Sequence, residues 1–398
     1  MNRLKNKLHN KWSTVSIMIM IHALQGIAAN LAHPITPAYL KSMDFPSTMF
    51  GIVFAAMSLT NFAFSPFWGI MSRYIEAKTM LLIGSVGYAA GQAIFGFSSN
   101  PLIIIMARFI SGAFVSAQFV GTGLYVVEKS NPGDKSKNIT KMVTIFSVFG
   151  TVGYFLGGYI GDYSLKIPFV IQVLLLITVG LLYYVLLESN PTEDKVDVKR
   201  VIQSSSPIIK TDRPLNKKLT MNFWIVFLIS TASTSLTQTF SYFIADALNL
   251  PSSANGITKG LVGILALLLN FTIAMRIVKS KEVERNISVL FMWITALFIP
   301  MVLLKSSALG FMSFGVIAMG FDTMPVSLLQ SRTVEYADHD IQGEMVGYHN
   351  TMKSLGMILG SLVAGWIYAK NIISPFIMSA SLYIVSTLLI IRLRKYVK

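Results

Sequence analysis

The residues of this chain with the clearest chemical potential are two opposite charges inside long apolar stretches. Asp322 stands within the apolar residues 308–331, and Lys353 stands within the next stretch, 344–368. A charged side chain at the centre of a membrane helix costs ~2.5–3.5 kcal/mol, so it persists mainly where it faces a partner or a cavity. A carboxylate in a partly dry cavity beside a lysine can exchange protons near neutral pH. The pattern predicts a proton-coupling pair, with a structural ion pair as the alternative.

Polar side chains on two other apolar stretches indicate a cavity. The stretch 13–40 carries His22, Gln25 and His33 at steps that place much of the set along one helix face. The stretch 221–247 carries a row of Ser, Thr and Gln that includes Thr234 and Gln238. We expect these residues to line a central substrate cavity. For His33 the alternative is a hydrogen-bonded structural group.

Three more charges lie inside or beside apolar stretches. Arg108 is a permanent cation with a planar fork, suited to binding an anionic group or to switching a nearby acid. Its alternative role is a hydrogen bond to the backbone of a bent neighbouring helix. Asp246 and Lys259 lie nearer to the end of their stretches and are expected to pair as an outer closure contact.

The elements that must position these residues are membrane-spanning helices. Hydrophobic residues make up 53% of the chain and charged residues only 13%, which excludes a soluble globule of 398 residues. Stretches near 20 residues long have the length of a membrane span. Twelve are predicted, numbered spans 1 to 12 in chain order, at 13–40, 47–72, 78–98, 101–127, 138–163, 167–187, 221–247, 252–277, 286–304, 308–331, 344–368 and 374–391.

The two halves of the chain repeat one another. Pro46-Ser47 and Gly51 recur as Pro251-Ser252 and Gly256, and Gly153 recurs as Gly360. Internal repeats of this kind are typical of secondary transporters, whose site lies between the halves at mid-membrane. The sequence predicts an all-α membrane protein of two pseudo-symmetric six-helix bundles, residues 1–187 and 221–398, joined by a cytoplasmic linker at 188–220.

The formal net charge of +15 is explained by membrane topology rather than by nucleic-acid binding. Most of the Lys and Arg residues fall in loops of one side when the N-terminus is put inside, and basic loops stay in the cytoplasm. We therefore expect a multi-pass protein of a bacterial cytoplasmic membrane with both termini in the cytoplasm.

Several motifs resemble those of the major facilitator superfamily. The segment 108–112, Arg-Phe-Ile-Ser-Gly, is similar to the Arg-x-x-x-Gly core of that family's fourth-helix motif. The segment 153–158, Gly-Tyr-Phe-Leu-Gly-Gly, resembles the fifth-helix signature of its drug/proton antiporters without the proline, and 360–365 echoes it in span 11. The resemblance covers the whole chain. It implies twelve helices, transport of small molecules and a functional role for Arg108.

The family's cytoplasmic gate motif is only partly kept, at residues 69–78, where Arg73 replaces the usual aspartate. Glu128 ends span 4 on the same side, and Glu335 holds the equivalent place in the second half, near Arg276 and Lys279. We predict a gate latch of Arg73 with Glu128. The alternative is a set of solvated charges, since exposed pairs contribute ~0–1 kcal/mol.

Small residues in spans 5 and 11 predict close helix packing. The motif residues are Gly153, Gly157, Gly158, Gly360 and Gly365. They serve either plain close approach or sliding of span 5 against span 8 or 11 during transport. Both interpretations place them at the interface between the halves.

Together these features predict a transporter and not an enzyme. No phosphate-binding Gly-x-x-x-x-Gly-Lys-Ser/Thr loop, no metal-ligand spacing and no cysteine is present, so we expect no cofactor and no metal. The primary hypothesis is a monomeric proton-coupled exporter of hydrophobic or amphipathic cationic compounds. Within transport, the alternatives are a carrier of one metabolite or a flippase for a lipid-linked sugar. Outside transport, the alternative is a membrane receptor or scaffold.

Overall fold

A computed structural model describes residues 13–131, 134–188, 215–338 and 341–397 of the chain. All regular structure in these ranges is helical. Polar caps define several helix starts: the Asn100 side chain accepts from the amides of Leu102 and Ile103 with Pro101 in the first turn, and the Asn216 side chain accepts from the amide of Leu219.

The first half of the chain forms six spans at nearly the predicted positions. Span 1 consists of two helices, since a turn after Asn30 separates a longer first helix from a short second one. The bounds of spans 1 to 6 are Thr14–Asn30 with Thr36–Lys41, Thr48–Met71, Ala77–Phe97, Pro101–Lys129, Lys135–Tyr163 and Ile167–Leu186.

The second half forms spans 7 to 12, and two of them are irregular. Span 8 contains a π-helical segment, and span 10 is interrupted at Thr323, directly after Asp322. The bounds are Lys217–Asp246; Ser252–Leu269, Asn270–Ala274 and Met275–Val278; Val283–Leu303; Ala308–Asp322 and Met324–Tyr336; Gln342–Tyr368; and Ser374–Val397.

The lengths and apolar character of these helices match a membrane protein. In the described ranges, 10 helices are long and apolar enough to cross a bilayer. The other two spans are the short Thr14–Asn30 helix and the helix Gln342–Tyr368, which carries His349, Asn350 and Lys353. The prediction of an all-α membrane fold is confirmed, with ten apolar spans and one shorter apolar helix in the described ranges.

Contacts divide the chain into two compact units. Among the described residues, unit 1 comprises those within 1–36 and 56–207, and unit 2 comprises those within 37–55 and 208–398. The predicted boundaries at 187 and 221 differ from this division in that residues 37–55 belong to unit 2. Most of the predicted linker, residues 188–220, lies outside the described residues.

The internal packing of the two units follows the same pattern. In unit 1, span 1 packs on spans 5 and 6, and span 3 packs on spans 4 and 6. In unit 2, span 7 packs on spans 11 and 12, and span 9 packs on spans 10 and 12. Adding six to each span number converts one set of pairs into the other, as the internal repeat predicts.

Glycines allow the closest of these helix approaches. A Cβ on Gly153 or Gly157 would overlap the carbonyl oxygens of Ile27 and Leu31 in span 1. A Cβ on Gly360 would overlap that of Thr231 in span 7. Span 5 therefore meets span 1 inside unit 1, where the small residues let the two backbones approach closely. Sliding of span 5 against span 8 or 11 stays a prediction.

Two further glycines of the motif are also buried or closely packed. Gly158 is buried in span 5. The Cβ position of Gly365 lies 3.0 Å from the carbonyl oxygen of Thr48 and 3.2 Å from the Cα of Gly51, both of which belong to unit 2.

Candidate functional site

The centre of the candidate site is the carboxylate of Asp322 in unit 2. It lies at the end of the first helix of span 10 and is 5% exposed. Ser233 Oγ of span 7 donates to Asp322 Oδ2 at 2.5 Å, and the Tyr383 hydroxyl of span 12 donates to Oδ1. Three spans therefore hold a buried acid whose two oxygens are both hydrogen-bonded, as a buried charge requires.

The backbone around Asp322 is irregular for a local reason. Pro325 has no amide hydrogen, so the regular bond to the carbonyl of Phe321 cannot form, and span 10 restarts as a new helix at Met324. The side chain of Asn270, at the start of the π-helical segment of span 8, donates through Nδ2 to Thr323 Oγ1 at 2.9 Å. The irregular parts of spans 8 and 10 are thus joined beside the acid.

The cation that interacts electrostatically with Asp322 differs from the predicted one. Lys259 of span 8 is within electrostatic range of Asp322, with its Nζ 4.0 Å from Met319 Sδ. Between Asp322 and Lys353 the described residues show no ion pair. Asp246 accepts instead from the Tyr368 hydroxyl at 2.9 Å. The expected contact of Asp246 with Lys259 is therefore replaced, because Lys259 points toward span 10 rather than toward the end of span 7.

A cavity of about 230 Å³ lies in unit 2 next to this acid. Ser233, whose hydroxyl binds Asp322, is part of its wall, and so are the predicted cavity residues Thr234 and Gln238. Lys353 reaches the same cavity from span 11. The remaining lining residues are Phe54, Ser230, Thr237, Val326 and Met357.

Arg108 is the main buried charge of unit 1. Its guanidinium lies 3.8 Å from the centroid of the Phe95 ring, Nη2 donates to Thr36 Oγ1 at 3.4 Å, and Nη1 lies 3.7 Å from Met57 Sδ. Its Nε has no partner within the described ranges. The cation is held mainly by an aromatic face and neutral groups.

His22 and Gln25 form part of a closed hydrogen-bond network in unit 1. His22 Nδ1 lies 3.0 Å from Gln25 Oε1, Tyr183 donates to the same oxygen at 2.5 Å, and Gln25 Nε2 donates to Gln118 Oε1 at 2.7 Å. These bonds join spans 1, 4 and 6. His33 lies apart from the network, with its ring centroid 5.8 Å from that of Tyr154. A cavity role for the three residues stays a prediction.

The predicted gate residues are placed differently in the two units. Arg73 and Glu128 are both exposed, and no ion pair joins them in the part of unit 1 that the structure describes. In unit 2, Glu335 pairs with Arg332, which also pairs with the buried Glu284. The partner of Glu335 is thus Arg332, one helical turn away, rather than Arg276 or Lys279.

The Arg332 cluster yields a matched pair of variants. Glu284 is 7% exposed and also accepts from the Tyr336 hydroxyl at 2.6 Å, whereas Glu335 is 61% exposed. Glu284→Gln is expected to cost about 3–5 kcal/mol because it removes the buried partner of Arg332 and leaves only the exposed Glu335. Glu335→Gln is expected to cost about 0–1 kcal/mol. Thermal unfolding followed by tryptophan fluorescence measures both, and equal losses would contradict the assignment of Glu284 as the buried partner.

A family comparison decides the class of the protein. The model of the Major Facilitator Superfamily matches residues 18–361. The chain belongs to this superfamily. It is therefore a multi-pass membrane transporter and not an enzyme. The resemblance inferred from the motifs is confirmed.

Curated relatives of this superfamily member include bacterial drug resistance proteins. Multidrug resistance protein 2 of Bacillus subtilis (strain 168) is 22% identical over 383 residues, with 94% of each chain covered. The quinolone resistance protein NorA of Staphylococcus aureus (strain MSSA476) is 22% identical over 373 residues, with 92% of each chain covered.

Solved structures share the fold. The nucleoside transporter NupG has a TM-score of 0.74 at 14% identity, covering 97% of this chain and 100% of that one. A bacterial homolog of the human lysosomal transporter Spinster has a TM-score of 0.74 at 10% identity, covering 96% of each chain. At these sequence identities, the likeness shows a shared fold and nothing about function.

Three residues of the site were missed in the sequence. Ser233 belongs to a recognised polar row, but nothing singled it out from its neighbours. Lys259 is visible as a charge inside a span and was assigned to a different contact. Tyr383 carries no sequence signal, since a tyrosine in an apolar span is ordinary. Within the described ranges, no group of His, Cys, Asp or Glu can hold a metal ion.

Proposed function

We propose that this transporter is a proton-coupled exporter of hydrophobic or amphipathic cationic compounds that works by alternating access. The observation that carries the proposal is the buried carboxylate of Asp322, one hydrogen bond away from a polar cavity. An acid kept inside a membrane span is expensive and marks a proton or substrate pathway. The drug resistance relatives support export as the direction.

Competition for one carboxylate is sufficient for coupling. A cationic group that enters the cavity and replaces the proton on Asp322 would drive that proton out. Protonation of the same acid from outside would then weaken the bond to the substrate and release it. Tyr383 and Ser233 would hold the carboxylate in place through both states, and Lys259 would balance its charge when the cation has left.

The other predicted residues keep narrower proposed roles. Thr234 and Gln238 would orient polar groups of the substrate in the unit 2 cavity. Arg108 would respond to charge changes in unit 1, since its guanidinium is held there by neutral groups.

A carrier of one specific metabolite is the second candidate. The observation that favours it is the hydroxyl and amide character of the cavity wall, since several fixed hydrogen-bonding groups select a defined partner better than an apolar surface does. A flippase for a lipid-linked sugar would use the same polar groups. A non-transporting receptor or scaffold would move nothing.

Reconstituted vesicles separate these possibilities. We expect the wild-type protein to expel ethidium, a lipophilic phosphonium and rhodamine B ethyl ester when a proton gradient is imposed, and to stop when an ionophore removes the gradient. Saturable exchange of a single compound, with no movement of these dyes, would favour the specific carrier. Absence of any flux across the membrane would indicate the scaffold and would contradict the proposal.

A further inference from the structure

Lys353 is a cation inside span 11 that has no acidic partner among the residues that the structure describes. Its ammonium group forms neither a hydrogen bond nor an ion pair with any residue that the structure describes. The other titratable group within its reach is His349, one turn earlier on the same helix, which is fully buried and cannot neutralise a cation. An unpaired charge at this depth is costly and indicates that another molecule supplies the counter-charge.

Asp322 does not supply that counter-charge. Both of its oxygens are bonded to Ser233 and Tyr383, and the cation in its electrostatic range is Lys259. Asp322 also does not belong to the cavity wall, where Lys353 lies. Asp322 therefore has its own partners, and Lys353 is left without one among the described residues.

A second group in the same wall points to an acceptor. Ser230 is 2% exposed, and its hydroxyl oxygen has no hydrogen-bond partner among the described residues, although it borders the cavity. Buried hydroxyls are rarely left without a partner. Acidic residues are absent from the described cavity wall, whose polar groups are hydroxyls, one amide and the lysine. A free ammonium and an unpartnered hydroxyl, on two residues that line one cavity, match an oxyanion.

We infer that Lys353 and Ser230 bind an anionic group of the transported compound, a carboxylate or a comparable oxyanion. The volume of about 230 Å³ accommodates such a group with the ring or chain that bears it, and is below the ~300–1,000 Å³ of a site for a whole drug-sized molecule. The inference rests on the proposed function and refines it: the substrate is an amphipathic zwitterion. Its anionic group binds Lys353, and its cationic group competes with the proton of Asp322 by way of Ser233, which stands between the carboxylate and the cavity.

Two dyes that differ by one ester test the inference. Rhodamine B carries a cationic ring system and a carboxylate, and rhodamine B ethyl ester carries the cation alone. Binding to the purified full-length protein is measured by fluorescence polarisation for the wild type, Lys353→Met, Lys353→Arg and Ser230→Ala. Lys305→Met removes an exposed lysine of the same unit and is the matched control.

We expect the wild type to prefer the carboxylate dye. Lys353→Met should reduce the ratio of rhodamine B affinity to ester affinity by about tenfold, or about 1.4 kcal/mol, because only the carboxylate loses a partner. Lys353→Arg should restore most of the ratio, which shows that the charge and not the fold is responsible. Ser230→Ala should reduce it less, and Lys305→Met should leave it unchanged.

Either of two results would overturn the inference: a wild type without preference for the carboxylate dye, or an equal effect of Lys353→Met on both dyes. Gradient-driven efflux of the ester by the wild type tests the proposed function independently of the anion site, because the ester has no carboxylate. If the ester is exported but the ratio of the two dye affinities does not change in Lys353→Met, only the proposed anion site is wrong. If the ratio depends on Lys353 but no dye moves with the gradient, the proposed function fails instead.

Discussion

Asp322→Asn is expected to abolish proton-driven efflux while leaving the protein folded. The amide has nearly the size of the carboxylic acid and can still bond to Ser233 and Tyr383, but it neither takes up nor releases a proton. The initial rate of dye efflux from vesicles under an imposed proton gradient should fall by about tenfold or more, a barrier increase of about 1.4 kcal/mol. Exchange of dye across vesicles without a gradient should continue, although at a higher half-saturating dye concentration, because Asn resembles the protonated acid.

A second aspartate gives the control for this variant. Asp338 is exposed at the end of span 10 and belongs to no ion pair in the described chain, so Asp338→Asn should keep the wild-type rate. Gradient-driven efflux that is unchanged in Asp322→Asn would remove this acid from the coupling role. Loss of exchange together with gradient-driven efflux would instead assign it a role in substrate binding alone.

Gly157→Ala is expected to destabilise unit 1 strongly. The Cβ would overlap the carbonyl oxygen of Leu31, a backbone atom that cannot turn away, so spans 1 and 5 would have to separate. Overpacking of this kind costs about 1–3 kcal/mol or more. The variant should show a clearly lower melting temperature in detergent and a reduced yield of monodisperse protein by size-exclusion chromatography.

The same substitution at Gly123 in span 4 is the matched control. No atom lies within 4 Å of the Cβ position of Gly123, so the methyl group meets open space. Alanine is a better helix former than glycine by about 1 kcal/mol, and Gly123→Ala should therefore be neutral or slightly stabilising. A melting temperature of Gly157→Ala equal to that of Gly123→Ala would show that spans 1 and 5 are not in close contact.

The sequence predicts the spans well because apolar length is a local property. Span 4, predicted at 101–127, is the helix Pro101–Lys129, and span 6, predicted at 167–187, is the helix Ile167–Leu186. The breaks are less visible. The predicted helix 308–331 is interrupted at Thr323, although Pro325 marks the place, because a proline inside a membrane helix can either bend it or divide it.

The partners inside the site could not be predicted, because they come from distant parts of the chain. Ser233 and Tyr383 are 89 and 61 residues away from Asp322, and helical periodicity does not say which neighbouring span a face will meet. Depth within a span suggested Lys353 as the partner of Asp322, but depth alone does not fix which helices are adjacent. The glycines of span 5 likewise indicated a close contact without naming span 1.

Release of protons on substrate binding tests the central claim most directly. The purified wild-type protein, in weakly buffered detergent solution with a pH-sensitive dye, should release about one proton for each bound molecule of rhodamine B ethyl ester, because binding and protonation compete for one carboxylate. Asp322→Asn should release none. Equal release by both proteins, or no release by the wild type while the ester binds, would contradict the account.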